Sequence, residues 1–353
     1  MVVRRSEAKK AADSANAARQ RDLVNYSNIG LMAAAAALAL ILPFELFLFA
    51  YAVLGPAHYL TEISWLHKRG FFMRWQAGFL LLSVLAIVMF SSAPPAGRFF
   101  TPTAALCTAV ALGAGAVLAS ASTVSRSLTG LAAVALVSYV VVQTFGFAAA
   151  FLALFVPTLI HVYVFTGLFM LYGALKDESY SGYTAFGCFL LFPLLFVVAD
   201  VKTGEPAPYV VVSYWKSFSL LNLSLLGLDI PSTREQGGAA GLAVFTSPTG
   251  LKLMRFIAFA YTYHYLNWFS KTSVIRWHDA STARLAGVAA LWAASVGLYV
   301  FDYSTGVQWL LCLSYMHVYL EFPLNYLSIT GTYSQVRSRL AGAAAGRPAA
   351  ASG

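Results

Sequence analysis

Charge is what this sequence has least of. Asp, Glu, Lys and Arg make up only 10% of the chain and hydrophobic residues 59%, whereas a soluble domain carries about 25% charged residues. So little charge cannot cover a water-facing surface, and the soluble globular classes are excluded. Cysteine is scarce as well. Cys107, Cys188 and Cys312 stand singly inside apolar segments without a C-x-x-C spacing, which excludes a thiolate zinc site and dithiol exchange and leaves them as packing residues. No internal repeat is evident. The first apolar run has no small-residue cleavage pattern behind it, so residues 1–21, polar and basic, read as a retained cytoplasmic tail and not as a signal peptide.

What the chain does have is apolar runs about 20 residues long, the length that crosses a ~30 Å hydrocarbon core, separated by short charged or Gly/Pro breaks. The expected fold is all-α, a polytopic integral membrane bundle of about ten transmembrane helices over residues 22–330. The spans fall near 22–42, 45–67, 74–93, 101–121, 127–147, 149–174, 182–201, 250–276, 281–301 and 306–329. The "LPFE" of residues 42–45 supplies the turn between the first two. With the N-terminus inside, "HKRGFFMR", "STVSR", "KDES" and "KTSVIRWHDASTAR" become inner loops. Most Lys and Arg then lie on the cytoplasmic side, as the positive-inside rule expects, and Arg98 and the mixed-charge loop 202–249 are exceptions. Both termini are expected in the cytoplasm, and the membrane is expected to be a bacterial inner membrane. The net charge of +9 is thereby assigned to topology and lipid headgroups, with no nucleic-acid partner. Residues 202–249 are read as an outer loop or interfacial lid, and residues 331–353, rich in Ala and Gly, as a disordered cytoplasmic tail.

Of six histidines, His67 and His278 fall at helix ends, and His58, His161, His264 and His317 fall within spans. Those four spans run in the same direction. Each histidine lies about 11 to 14 residues from the outer end, which at 1.5 Å per residue puts all four within about 5 Å of one depth. A lone intramembrane histidine is easily satisfied by a neighbouring helix. Four at one level cannot all satisfy one another cheaply, whereas a metal ion offers each a bond. Imidazole suits Fe, Cu, Zn and Ni. Glu62 follows His58 by four residues and Glu321 follows His317 by four, so each carboxylate shares a helix face with a histidine. Each is a candidate catalytic residue, as a supplementary ligand or as an acceptor for a ligand's second N–H. Pro56 and Pro157 precede two of the histidines and can kink their helices around a cavity. Tyr59, Trp65, Tyr163, Tyr263, Tyr265, Trp268, Tyr315 and Tyr319 stand nearby, as packing or as an aromatic cavity wall.

The stretch Gly55, Pro56, His58 and Glu62, with the plan of four intramembrane histidines, resembles the Brp/Blh-type membrane β-carotene dioxygenases. Tyr59 stands where that family has Gly, and the family's later histidines spaced four apart have no counterpart. The resemblance implies that His58, His161, His264 and His317 hold Fe(II), and that the substrate is a carotenoid cleaved at a double bond with O2.

The residues thus favour a metal-dependent oxidoreductase, a dioxygenase-like enzyme with iron as its cofactor. Its partners are the bilayer and a lipid-soluble small molecule. Zinc, copper and haem remain alternatives. The rival classes are a b-type haem protein or other redox subunit, a proton or metal transporter, an intramembrane zinc hydrolase, and an assembly subunit. The dense histidine boxes of membrane desaturases and hydroxylases are absent.

Overall fold

A computed structural model describes residues 2–91, 101–146, 156–199, 201–227 and 234–344. The described residues are helical and contain no strand. In chain order the helices are α1 (Val2–Ile41), α2 (Pro43–Lys68), α3 (Gly78–Ser91), α4 (Pro102–Ser120), α5 (Val124–Phe145), α6 (Leu159–Asp177), α7 (Tyr180–Val198), α8 (Pro208–Leu225), α9 (Arg234–Thr246), α10 (Pro248–Ser270), α11 (Thr282–Phe301) and α12 (Tyr303–Ala344).

Local sequence sets the helix ends. Thr101, Thr123, Ser179, Ser247 and Ser281 each accept a hydrogen bond from the backbone N–H three residues on, a cap that stabilises a helix start by about 1 kcal/mol. Pro43, Pro102, Pro208 and Pro248 occupy the first helical turn, where a missing N–H costs nothing. The break between α1 and α2 falls at Leu42, inside the expected "LPFE" turn.

Among the described residues, seven helices are long and apolar enough to cross a membrane, with Ala15–Ile41 as the apolar part of α1 and α2, α4, α5, α6, α7 and α11 as the others. The chain is built as an integral membrane bundle. Its lipid-facing layer is plain on α5 and α11, where only 11% of the apolar window is buried and Leu136, Val137, Val140, Leu291 and Val300 point outward. In water so broad an apolar surface would be untenable.

The expected count of about ten spans is not reached by composition. Helix α3 has only 14 residues. Helices α10 and α12 reach 23 and 42 residues but are less apolar than a lipid-facing span. Their midsections are enclosed by other helices, and nearly every residue from Met254 to Trp268 is buried. A helix wrapped in protein needs no lipophilic circumference and can carry polar groups inward.

Residues 202–249, expected as a loop or lid, contain α8 and α9, neither of which has the composition of a span. The C-terminal tail, expected to be disordered from 331, instead continues α12 to Ala344. Arg339 on that extension donates to the Leu175 carbonyl and to Glu178 Oε1, contacts to α6 and the turn beyond it that composition does not reveal. Residues 345–353 lie outside the described residues.

The four histidine-bearing helices form the centre. Helix α2 packs against α10 and α12, and α6 packs against the same two, so the four close a ring in the order α2, α10, α6, α12. One apolar core fills the side of α1, α2, α7 and α10. A second fills the side of α3, α4 and α12. The ring lies between them.

Candidate metal centre

His58, His161, His264 and His317 are 1%, 1%, 8% and 2% exposed, and their ligand nitrogens all lie within 4.8 Å of one another. His67 and His278, placed at helix ends by the sequence, are exposed there. The order of the rings repeats the order of the helices. Ring centroids are 4.6 Å apart for His58 and His264, 4.8 Å for His264 and His161, 4.9 Å for His161 and His317, and 5.4 Å for His317 and His58. The Nε2 atoms of His58 and His264 are 3.0 Å apart, and those of His161 and His317 are 3.1 Å apart. Adjacent ligands at right angles around an ion with bonds of about 2.1 Å would stand about 3.0 Å apart. The four imidazoles therefore converge at metal-ligand spacing.

Backbone distortions aim two of these rings. Residues Ala50–Leu54 of α2 form a π-helical turn directly before Gly55 and Pro56, and His161 sits inside a π-helical run, Val156–Phe165, that contains Pro157. A π turn rotates the following residues about the helix axis and recurs at functional sites. Each expected proline therefore coincides with a change in helix phase next to a site histidine. Gly55 suits a close approach, because a Cβ there would lie 3.2 Å from the hydroxyls of both Tyr59 and Tyr265 and would press on them. Those hydroxyls are hydrogen-bonded to each other at 2.7 Å.

The surroundings fix the rings unequally. Thr166 donates its hydroxyl proton to the Val162 carbonyl at 2.9 Å, and its oxygen is 2.8 Å from His264 Nδ1. With its proton so used, Thr166 accepts from His264 Nδ1–H, and the lone pair of His264 Nε2 faces the centre. Nothing in the sequence marks Thr166 for this task. Replacing it with valine is expected to weaken metal binding about 10- to 100-fold, the usual effect of losing such a partner, as measured by competition with a chelator. Tyr59 stacks on His317 with centroids 4.2 Å apart. Trp268 packs edge-on to His58 and donates to Thr61 Oγ1 at 3.0 Å.

The two glutamates are buried but not equivalent. Glu62 Oε2 is 3.1 Å from His58 Nε2, the nitrogen that faces the centre. Glu321 Oε2 is 3.2 Å from His161 Nδ1, on the outward side of that ring. The expected pairing of Glu321 with His317, four residues earlier on its own helix, gives way to a contact with a histidine of α6. Oε2 of each glutamate has no hydrogen-bond partner. Buried carboxylate oxygens without partners are costly, and a cation among four imidazole nitrogens would offset that cost. The donor set and the orphaned oxygens thus fit a divalent ion.

Of the aromatic residues singled out above, Tyr59, Tyr265 and Trp268 touch the histidine rings, and Trp65 lines a neighbouring cavity. Tyr163 stacks on Phe189, Tyr263 reaches Asn28 and Met170, and Tyr315 and Tyr319 pack in the second core. These four are structural.

The cavity, of about 470 Å³, extends from the histidines to the end of the bundle that carries Arg21, Lys176, Asp177 and Lys271, here termed the basic end. Helical stripes make its walls. His58, Glu62 and Trp65 line it from α2, His264 and Trp268 from α10 with Lys271 just beyond, and Glu321, Leu324 and Ser328 from α12, in each case at the three- and four-residue spacing of one helix face.

Comparison with models of known protein families, with curated proteins and with solved structures finds no match to this chain.

Proposed function

We propose that the protein is a membrane-embedded, metal-dependent oxygenase that acts on a lipid-soluble substrate, with iron held by His58, His161, His264 and His317. The observation that carries this reading is the convergence of four buried imidazoles from four separate helices at metal-ligand spacing. A porphyrin between two opposite histidines would need the space that the other two rings fill, which favours a bare ion over haem. When bound, iron supplies the activation of dioxygen that an oxygenase requires.

The chain's own residues have separable tasks. Glu62, on the central side of His58, is a supplementary ligand. Glu321, with Oε2 3.2 Å from His161 Nδ1, is a positioning residue, placed to accept from that nitrogen when a metal holds the Nε2 of the ring. Thr166 does the same for His264. The apolar walls of the cavity admit hydrocarbon and exclude bulk water from the centre. A carotenoid is the first substrate to offer, on the strength of the Gly55–Pro56–His58–Glu62 resemblance. The basic end is assigned to the cytoplasm by its lysines and arginines, with a bacterial inner membrane as the setting.

The same geometry supports a second reading. Glu62 lies where a general base would meet a zinc-bound water, so a zinc hydrolase shares the site. Metal analysis and an optical spectrum of detergent-purified protein separate the readings. About one iron per chain without a Soret band is expected. Stoichiometric zinc would move the assignment to the hydrolase, a Soret band would move it to haem, and protein without any metal would overturn both metal readings.

A further inference from the structure

Two lysines at the cavity's mouth, Lys176 and Lys271, have no acidic partner among the described residues, and Lys271 is the less exposed of the two. Arg21 stands 3.9 Å from Asp177, and Lys68, at the same end, stands 3.4 Å from Asp279. Burial alone pushes the Lys271 ammonium down to about 8, so an anion beside it would be stabilised by the charge that the protein leaves unbalanced.

The deep end has the opposite character. Glu62 and Glu321 line it together with His58, His161 and His264, and two carboxylates balance the charge of a divalent ion there, so the deep end offers no unbalanced cation to a ligand's anionic group. Between the two ends the walls carry Phe169, Met170, Trp65, Trp268 and Leu324, suited to hydrocarbon. Lys271 follows His264 by seven residues, so the two lie about 10 Å apart along the helix axis and on one face.

We propose that this cavity binds an amphiphile with an anionic end, a carboxylate or phosphate, which pairs with Lys271 while the hydrocarbon chain extends inward to the four histidines. The inference rests on the oxygenase reading for what happens at the deep end, and it favours a fatty-acid-like substrate over a wholly apolar chain such as a carotene. It also fixes a distance, since the carbon presented to the metal centre lies about 10 Å from the anionic group.

The test is equilibrium binding of oleate, oleyl alcohol and inorganic phosphate to the purified full chain in neutral detergent, with Lys271→Gln and Lys271→Arg beside it and a thermal melt as a folding control. Oleate is expected to bind about tenfold more tightly than the alcohol, the scale of one charge-assisted hydrogen bond. That advantage should vanish in Lys271→Gln, persist in Lys271→Arg, and withstand millimolar phosphate. Equal binding of acid and alcohol, or an advantage that survives in folded Lys271→Gln protein, overturns the proposal. Displacement of oleate by phosphate also overturns it, by making Lys271 a small-anion site. The readout needs no turnover, so a failed metal analysis would remove the oxygenase reading and leave this result standing. Equal binding of acid and alcohol would do the reverse.

Discussion

Replacing His161 with alanine is expected to remove most of any metal that the four histidines bind while the protein still inserts and folds. His161 contributes one of four nitrogens that lie within 4.8 Å of one another, and Glu321 has its oxygen 3.2 Å from the outward nitrogen of the same ring. One substitution therefore deletes a ligand and strands a carboxylate. Changes to outer partners of metal ligands cost about 10- to 100-fold in affinity, and loss of a ligand itself should exceed that range. Insertion is governed by long apolar helices, which one histidine does not alter. The measurement is metal content per chain after size-exclusion chromatography, beside the melting temperature in detergent. Full metal retention in a folded His161→Ala protein would remove it from the ligand set.

The second large effect separates the two glutamates. Glu62→Gln is expected to change the metal's own coordination, because Glu62 Oε2 faces the same space as His58 Nε2. Glu321→Gln should lower affinity about 10- to 100-fold yet leave the number and type of ligand atoms unchanged, because Glu321 meets His161 on the far side of the ring. X-ray absorption at the metal edge reads the difference directly. Loss of an oxygen scatterer in Glu62→Gln and an unchanged first shell in Glu321→Gln would support the assignment. Identical spectra for both variants would show that the carboxylates play one role, and the asymmetry would then have no functional meaning.

Two of the stripes that line the cavity begin at a histidine and run toward the basic end at the three- and four-residue spacing of a helix face, while the stripe of α12 begins at Glu321. The His58, Glu62 and Trp65 stripe and the His264, Trp268 and Lys271 stripe are both visible in the sequence once the helices are known. His58 and Glu62, set close together in an apolar stretch, thus stand on adjacent turns of one cavity wall.

The sequence by itself determined the class of solvent, the helical content and the depth of the histidines. Apolar run length reports membrane crossing, and a fixed rise of 1.5 Å per residue turns residue number into height along a helix. It also separated His67 and His278 from the other four. Only the tertiary structure decided which way each helix faces and which helices are neighbours. Those depend on the rotation of every helix about its own axis, which is set by non-local packing and by phase changes such as the π-helical turns near Pro56 and Pro157. For that reason the partnership of Glu321 with His161, the role of Thr166, and the continuation of α12 to Ala344 could not be read from spacing. Composition marks seven of the expected ten spans among the described residues, for a related reason. Hydropathy measures exposure to lipid, while α10 and α12 are enclosed by other helices and carry polar groups that a lipid-facing helix could not bear.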